Sequence, residues 1–526
     1  MSAAAESPDG APHARPGFAA AAASGSAWTT AQTIANKLVT IGAMYLLARF
    51  LTPAELGLAD LAATIGAFFF VLAPFVMGDV LLAQGKRFDF VSGTANAVAW
   101  AAAVAMFAIL AALALPIERI SDREGLAFLV FIAALRPIAD AVLVVANSRM
   151  RLDLAYRRIA MIDGGVILAA TVTGVVMAYF GAGPISVTLP PIATLAVRGV
   201  IYWRDTRGRI DTTIRRPLIA PIARQFALAA LGQYVHNVLL ILERLVLAFV
   251  ATDTELGLFG FAALLAIQAN SVIAGQLGAV LQPIFSHIKG DSARQVAGFV
   301  RATRLLSSVA VPLSLMQAAL AVPAFALLFE DKWMGSTAIF AVLSVGQAFV
   351  FVTAPSIALL KAQGRFRTYL AWQLGQLVVA LGAFIAAVSF GPALALEAAA
   401  GIGLPIDPGA GQALAVSIAS AGVWAVSCPL AVWLGGRPAR LGVGKVLGIF
   451  LEPWIVALPI AAALVGMWAL ARSVLDAWQA DLAAIAFLGP IAALVAIAGC
   501  VWMRSDTRED FARVTARFRR NGRAAT

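Results

Sequence analysis

The chain has 526 residues, 61% of them hydrophobic and 13% charged, with a mean hydropathy of +0.87 and a formal charge of +11. Soluble domains carry roughly 25% charged residues, and a water-soluble globule of this composition would expose large apolar patches, so a soluble enzyme is excluded. Nucleic acid is not the implied partner of the positive charge, because Lys and Arg sit in short loops between apolar runs rather than in one patch.

In chain order, residues 1–26 are rich in Pro, Gly and Ser and lack a basic stretch followed by an apolar core. They read as a disordered cytoplasmic tail rather than a secretory signal. A membrane helix needs about 20 mostly apolar residues. Runs of that kind place about fourteen spans, near 27–49, 58–83, 92–115, 124–147, 159–180, 184–203, 226–250, 257–285, 302–329, 335–360, 368–390, 411–434, 446–470 and 481–503. Outer-membrane strands alternate in short segments, whereas these runs are continuous. The expected fold class is all-α, a polytopic helical membrane protein.

Basic residues set the expected orientation. With a cytoplasmic N-terminus, the inner loops and both tails hold 30 of the 39 Lys and Arg residues, and the outer side holds five: Arg49, Arg119, Arg123, Lys332 and Arg472. The other four, Lys37, Arg136, Arg198 and Arg244, lie within apolar runs. This is the positive-inside distribution with both termini in the cytoplasm. No outer loop is long enough for a folded domain; the largest, Phe390 to Gly411, is an irregular stretch containing Gly and Pro. That disfavours polymerases, ligases and membrane glycosyltransferases.

The segment Leu47-Ala-Arg-Phe-Leu-Thr-Pro-Ala-Glu-Leu-Gly-Leu58 recurs as Leu247-Ala-Phe-Val-Ala-Thr-Asp-Thr-Glu-Leu-Gly-Leu258, with seven of twelve positions identical and no gap. Both copies follow an odd-numbered span, so the repeat is parallel, and parallel repeats imply two bundles related by an axis along the membrane normal with a path between them. The expected organisation is an N-lobe of six helices (27–203), a basic cytoplasmic linker (204–225) and a C-lobe of six helices (226–434). An extra helix pair (435–503) and a basic cytoplasmic tail (504–526) complete it.

Ionisable groups inside the membrane are costly and usually face a bundle interior or wet cavity. In the first span Thr29, Gln32, Thr33, Asn36, Lys37 and Thr40 share one broad face. In the seventh span Gln233, Asn237 and Arg244 fall within about 40° of one another, with His236 beside them. Two equivalent helices thus each present a polar face with one cation, suited to an anionic headgroup, the Arg fork being matched to phosphate. Pairing of Arg244 with Glu243 or another acid, and snorkelling or pairing of Lys37, are the structural alternatives. Arg136 and Asp140 are spaced for a local ion pair, and Arg198 is expected to snorkel. Glu243, Asp140 and Asp163 are candidates for a proton or sodium site, each equally an ion-pair partner. His236 reads as a hydrogen-bonded packing residue or a proton carrier. Gln268, Asn270, Gln276 and Gln282 line a path or bond between helices.

The basic loops need no partner beyond anionic membrane lipids. Cys428 and Cys500 both lie in apolar runs and the three His are scattered, so neither a disulfide framework nor a metal site is expected. No nucleotide-binding Gly-rich loop occurs, so direct ATP use and a cofactor are not expected.

Trp28-Thr-Thr-Ala-Gln-Thr-Ile34, followed by Tyr45-Leu-Leu-Ala-Arg-Phe-Leu-Thr-Pro-Ala-Glu-Leu-Gly57, resembles the first-span signature of bacterial polysaccharide and O-antigen flippases. These belong to the multidrug/oligosaccharidyl-lipid/polysaccharide exporter superfamily. Leu135-Arg-Pro137, the loop from Ser148 to Ala160 and Phe329-Glu-Asp-Lys-Trp333 are similar to the same family, and the resemblance fades after Gln376. It implies two six-helix lobes in a V working by alternating access, and a polyprenyl-diphosphate-linked oligosaccharide as cargo across a bacterial inner membrane. It also implies cationic residues in spans one and seven, here Lys37 and Arg244, with Arg49 displaced to the end of its span. Taken together, the expected substrate-binding set is Lys37, Arg244, Asn36, Gln233, Asn237, His236, Arg136 and Arg49. Expected partners are the lipid-linked oligosaccharide, membrane lipids, a polysaccharide polymerase and export machinery, and a coupling proton or sodium ion. The alternative is a cation-coupled multidrug exporter of the same superfamily, which an acid-free first span disfavours. A membrane enzyme of glycan assembly is a third reading, disfavoured by the absent outer domain.

Overall fold

The computed structural model describes residues 36–268 and 292–503, apart from Leu38, Ala73, Leu154, Arg209, Ile406 and 438–440. Expectations placed on the two tails, on Thr29, Gln32 and Thr33, and on Asn270, Gln276 and Gln282 fall outside these residues. The described chain is helical with no strand. Twelve of the fourteen spans have a helical counterpart among the described residues, and the described parts of the first and eighth are helical too: α1 Val39–Phe50, α2 Pro53–Phe69 resuming as Pro74–Gln84, α3 Phe88–Ser121, α4 Leu126–Leu152, α5 Tyr156–Tyr179 and α6 Ile185–Asp205. Then follow α7 Arg216–Val250, α8 over 253–268, α9 Ser292–Ala319 resuming as Ala321–Leu328, α10 Ser336–Lys361, α11 Phe366–Phe390, α12 Gly411–Gly436, α13 Val443–Val474 and α14 Ala477–Met503. Eleven of these are long and apolar enough to cross a bilayer unaided, and the bent α2 pair makes twelve. The protein is a multi-pass membrane protein.

Breaks in these helices have local causes. The bend of 52° in α2 precedes Pro74. α4 reforms after Leu135 with Pro137 in its first turn, and α10 reforms after Thr353 in the same way with Pro355; proline lacks the amide that would continue the ladder. The stretch after Phe390, expected to be irregular, contains a short helix, Pro392–Gly401. α7 begins at Arg216, ahead of its apolar run, because Pro217 suits a first helical turn and the polar residues there extend the helix beyond the hydrocarbon.

Large apolar side chains face outward, among them Phe249 (84% exposed), Leu115, Val378 and Ile455. This is the surface that lipid covers. Inside, small residues let backbones approach: α4 packs on α3 and α6, and α9 on α10, α13 and α14. α7 is shared, packing on α2 and α3 as well as on α11 and α12. α1 reaches the other way, because the Trp333 indole, fully buried, donates to Ala48 O at 2.7 Å.

The duplicated segment is itself the contact between the two halves. Thr52 and Glu55 form a capping box at the start of α2, and Thr252 and Glu255 make the same reciprocal bonds at the start of α8. Gly57 and Gly257 meet face to face: a Cβ at Gly57 would collide with Asp253 O, and one at Gly257 with Pro53 O. Flanking this contact, Arg123 pairs with Asp253 at 3.1 Å and donates to Ala251 O at 2.7 Å. Across the axis Lys332 donates to Arg49 O at 3.1 Å. Each lobe thereby holds the last turn of the other lobe's first helix, at the end of the molecule poor in basic residues.

Candidate functional site

α2 and α7 cross between the lobes, and the charged groups they carry meet there. Arg244 Nε donates to Asp60 Oδ2 at 2.8 Å, both side chains about one-fifth exposed. No other bond to the Arg244 guanidinium is made among the described residues, so its terminal nitrogens remain available, and the ring of Phe259 lies 5.8 Å away. The carboxylate fits because position 260, the repeat equivalent of Asp60, is glycine: a Cβ there would stand 3.0 Å from Asp60 Oδ2.

A cavity opens on each side of this pair. In the N-lobe, Asp60, Arg136, Phe70 and Thr188 line a space of about 210 Å³ between α2, α4 and α6. In the C-lobe, His236, Glu243, Arg244, Gln347, Trp372, Gln373 and Trp424 line a space of about 310 Å³ between α7, α10, α11 and α12. Leu264 of α8 borders both. Gln373 Nε2 lies 3.1 Å from His236 Nδ1, the hydrogen-bonded arrangement that fits a packing role.

The eight sequence-expected residues therefore divide. Arg244 and His236 line the C-lobe cavity and Arg136 the N-lobe cavity. Lys37 donates to the buried Gln268 at 2.7 Å, tying α1 to α8. Asn36 precedes it, its carbonyl accepting from Thr40. Gln233 donates to Asn237 at 3.3 Å along one face of α7. Arg49 sits at the basic-poor end, beside a pocket of about 230 Å³ with Glu330 and Phe329, away from the central pair.

Of the alternatives left open for Arg244, the structure has the pairing with another acid: an Asp60 carboxylate neutralises it, where leaving it alone would cost several kcal/mol. Two expectations are corrected. Arg136 and Asp140 make no ion pair: the Arg136 guanidinium turns to the face of Phe70, 5.9 Å from its centroid. Arg198 does not snorkel but pairs with Asp163 at 3.2 Å, and Tyr202 donates to the same carboxylate at 2.6 Å. Asp60 itself was the residue to find. It is the only acid between Glu55 and Asp79, and an intramembrane acid marks a functional candidate by default.

Residues 46–338, more than half of the chain, match the family described as polysaccharide biosynthesis protein. The chain belongs to that family. Its fold is similar to a lipid II flippase MurJ in an inward closed conformation, with TM-score 0.67 and 11% identity over 90% of this chain and 99% of that one. An inward-facing multidrug resistance MATE family transporter of the MOP superfamily follows, with TM-score 0.58 and 13% identity over 78% and 95% of the two chains. No curated protein matches in sequence. At these identities the structures establish the transporter fold alone.

Proposed function

We propose that the protein translocates a polyprenyl-diphosphate-linked oligosaccharide across a bacterial inner membrane by alternating access, serving surface polysaccharide synthesis. The observation that carries this reading is the Asp60–Arg244 pair, an inter-lobe ion pair flanked by two cavities. A diphosphate entering between the lobes offers Arg244 a doubly anionic partner with fork geometry, and Arg136 in the adjoining cavity adds a second cation. Displaced from Arg244, Asp60 loses a bond between the lobes, so cargo binding and lobe separation become one event. A diphosphate in a low-dielectric passage needs such partners, because an unpaired ion there is prohibitively costly. Lys37 holds α1 to α8 through Gln268 and is a positioning residue in this scheme. With both termini cytoplasmic, the repeat contact closes the outer side.

Mass spectrometry of lipid extracts from a deletion strain is the test. Build-up of one polyprenyl-diphosphate oligosaccharide, restored to normal by the wild-type chain but not by Arg244→Ala, is the expected result. An unchanged lipid profile refutes the reading.

A second reading, export of organic cations, gains from Asp60 and Glu243, two carboxylates in cavities where the first span alone offered none. Resistance to cationic dyes on overexpression, with normal lipid-linked glycans in the deletion strain, would establish it instead.

A further inference from the structure

The C-lobe cavity differs from its N-lobe counterpart in the chemistry of its wall. Beyond Asp60, Arg136 and Thr188, the N-lobe cavity is bordered by small and aliphatic residues, with Phe70 its one aromatic ring among the described residues. The C-lobe cavity carries two indoles, Trp372 and Trp424, and three amides, Gln347, Gln373 and Gln376. Both indoles are held. Trp372 Nε1 donates to Ser427 O at 3.1 Å. Trp424 lies against Gly346, where a Cβ would fall 2.6 Å from the ring, so this glycine makes room for the indole against α10. Gln347 is 8% exposed and its Oε1 has no hydrogen-bond partner among the described residues. An unsatisfied buried amide oxygen is destabilising, and Gln347 lines the cavity, so a turn of its side chain would offer that oxygen to a ligand hydroxyl.

Fixed aromatic planes beside amides that both donate and accept are the complement of a pyranose. A sugar presents an apolar face of C–H groups to a ring and a rim of hydroxyls to amides. The volume of about 310 Å³ is in the range of small-molecule sites, roughly 300–1,000 Å³.

We propose that this cavity is the glycan subsite, binding the sugar next to the diphosphate while Arg244 at its rim takes the phosphate. The inference rests on the lipid-linked reading above and adds the charge class of the sugar. With Arg244 given over to the phosphate, no cation of the cavity wall is left for a sugar carboxylate, and the Glu243 carboxyl group in that wall disfavours a uronic acid. The subsite selects a neutral or N-acetylated sugar.

The test uses purified full-length protein in nanodiscs and reads tryptophan fluorescence. Probes are undecaprenyl diphosphate without sugar and the same lipid bearing one N-acetylglucosamine, glucose or galacturonate, beside the corresponding free methyl glycosides. A neutral sugar should tighten binding about tenfold over the bare lipid, and galacturonate should not. Trp372→Ala, read through the remaining tryptophans, should erase that gain. Gln347→Leu, which removes no bond made in the structure and so retains the fold, should cut the gain several-fold. If bare lipid binds and no sugar improves on it, or if galacturonate binds tightest, the subsite is overturned and the flippase reading stands. If methyl glycosides quench fluorescence through Trp372 while no lipid binds, the subsite stands and the flippase reading falls. If nothing binds, both fall.

Discussion

Gly57→Ala is the substitution with the most sharply defined consequence. The added methyl group would occupy the place of Asp253 O, a backbone atom with no side-chain freedom to yield. α2 and α8 must therefore separate. Overpacking of this kind costs about 1–3 kcal/mol, which lowers the population of the closed seam roughly 5- to 150-fold against any state in which the two helices are already apart. Gly257→Ala should do the same, since its methyl group meets Pro53 O across the same contact. The double substitution is the discriminating case. One displacement of the helices relieves both clashes, so the two effects should fall well short of adding, with a coupling energy of about 1 kcal/mol or more.

Nitroxide labels at Glu124 and Asp331, both exposed and on opposite lobes, would report the separation by pulsed electron–electron resonance in nanodiscs. Each single variant should shift the distance distribution to longer values, and the double variant should look like either single. Gly375→Ala, with open space around its Cβ, is the control. Unchanged distributions in both single variants, or strictly additive shifts in the double, would refute the closed-seam account of the repeat.

Other consequences follow from the charged groups. Asp60→Asn and Arg244→Gln should each destabilise by about 1–3 kcal/mol, less than the 3–5 kcal/mol of a fully buried pair because both side chains are partly exposed to the cavities; thermal unfolding of the double variant should recover part of the loss. Gly260→Ala should mimic a weak version of Asp60→Asn by pressing on its carboxylate, and an unaltered melting temperature would argue against that contact. Asp163→Asn should destabilise by breaking the bonds from Arg198 and Tyr202, whereas Asp140→Asn should be neutral or stabilising, since Asp140 Oδ2 has no partner to lose; the reverse order in melting temperature would contradict the structure. In the loop before α7, hydrogen bonds from the Thr213 side chain and amide and from Arg215 hold the Asp211 carboxyl down at about 2. A depressed carboxyl contributes its bonds fully above its ordinary value near 3.9 and loses them as pH falls toward about 2. Amide exchange at Thr213, corrected for intrinsic rates, should thus show constant protection from pH 7 to 5, and a loss within that window would refute the assignment.

Helical spans were legible because apolar length is a local quantity: each of the runs from 92–115 to 481–503 needs no knowledge of the others. The segment that makes the lobe contact was visible too, as the Glu-Leu-Gly-Leu repeat, but the contact was not. A repeat says that two segments adopt one conformation, not that they touch. The site was only partly legible, for a related reason. Helical-wheel geometry places Gln233, Asn237 and Arg244 on one face, and the structure keeps them there, but a wheel cannot say what stands opposite. Arg136 and Asp140 show the same gap. Their spacing permits a pair, yet the helix reforms at Arg136 and turns its guanidinium toward Phe70. Trp372, Trp424 and Gln347 were invisible as a group because they come from three helices.

The most informative position is where the duplication is broken. The repeat copies a capping box, a glycine contact and the direction of the following helix, and these need symmetry because two lobes must meet on one axis. Three residues further on, the copies diverge to Asp60 and Gly260, and a symmetric pair of carboxylates there would place two like charges against each other at the seam. One acid opposite one glycine removes that repulsion and leaves the carboxylate free to reach Arg244 of α7. The position equivalent to Arg244 in the first copy is Met44, a buried apolar residue, so the charge relation cannot be mirrored. Symmetry in this molecule therefore belongs to the contact proposed to open and close, and asymmetry to the groups proposed to hold the cargo. A Gly260→Asp substitution tests that division directly: it should restore the repeat, set two carboxylates side by side and weaken the closed seam as Gly57→Ala does. A Gly260→Asp chain that keeps the wild-type label distance would show that the seam tolerates both charges.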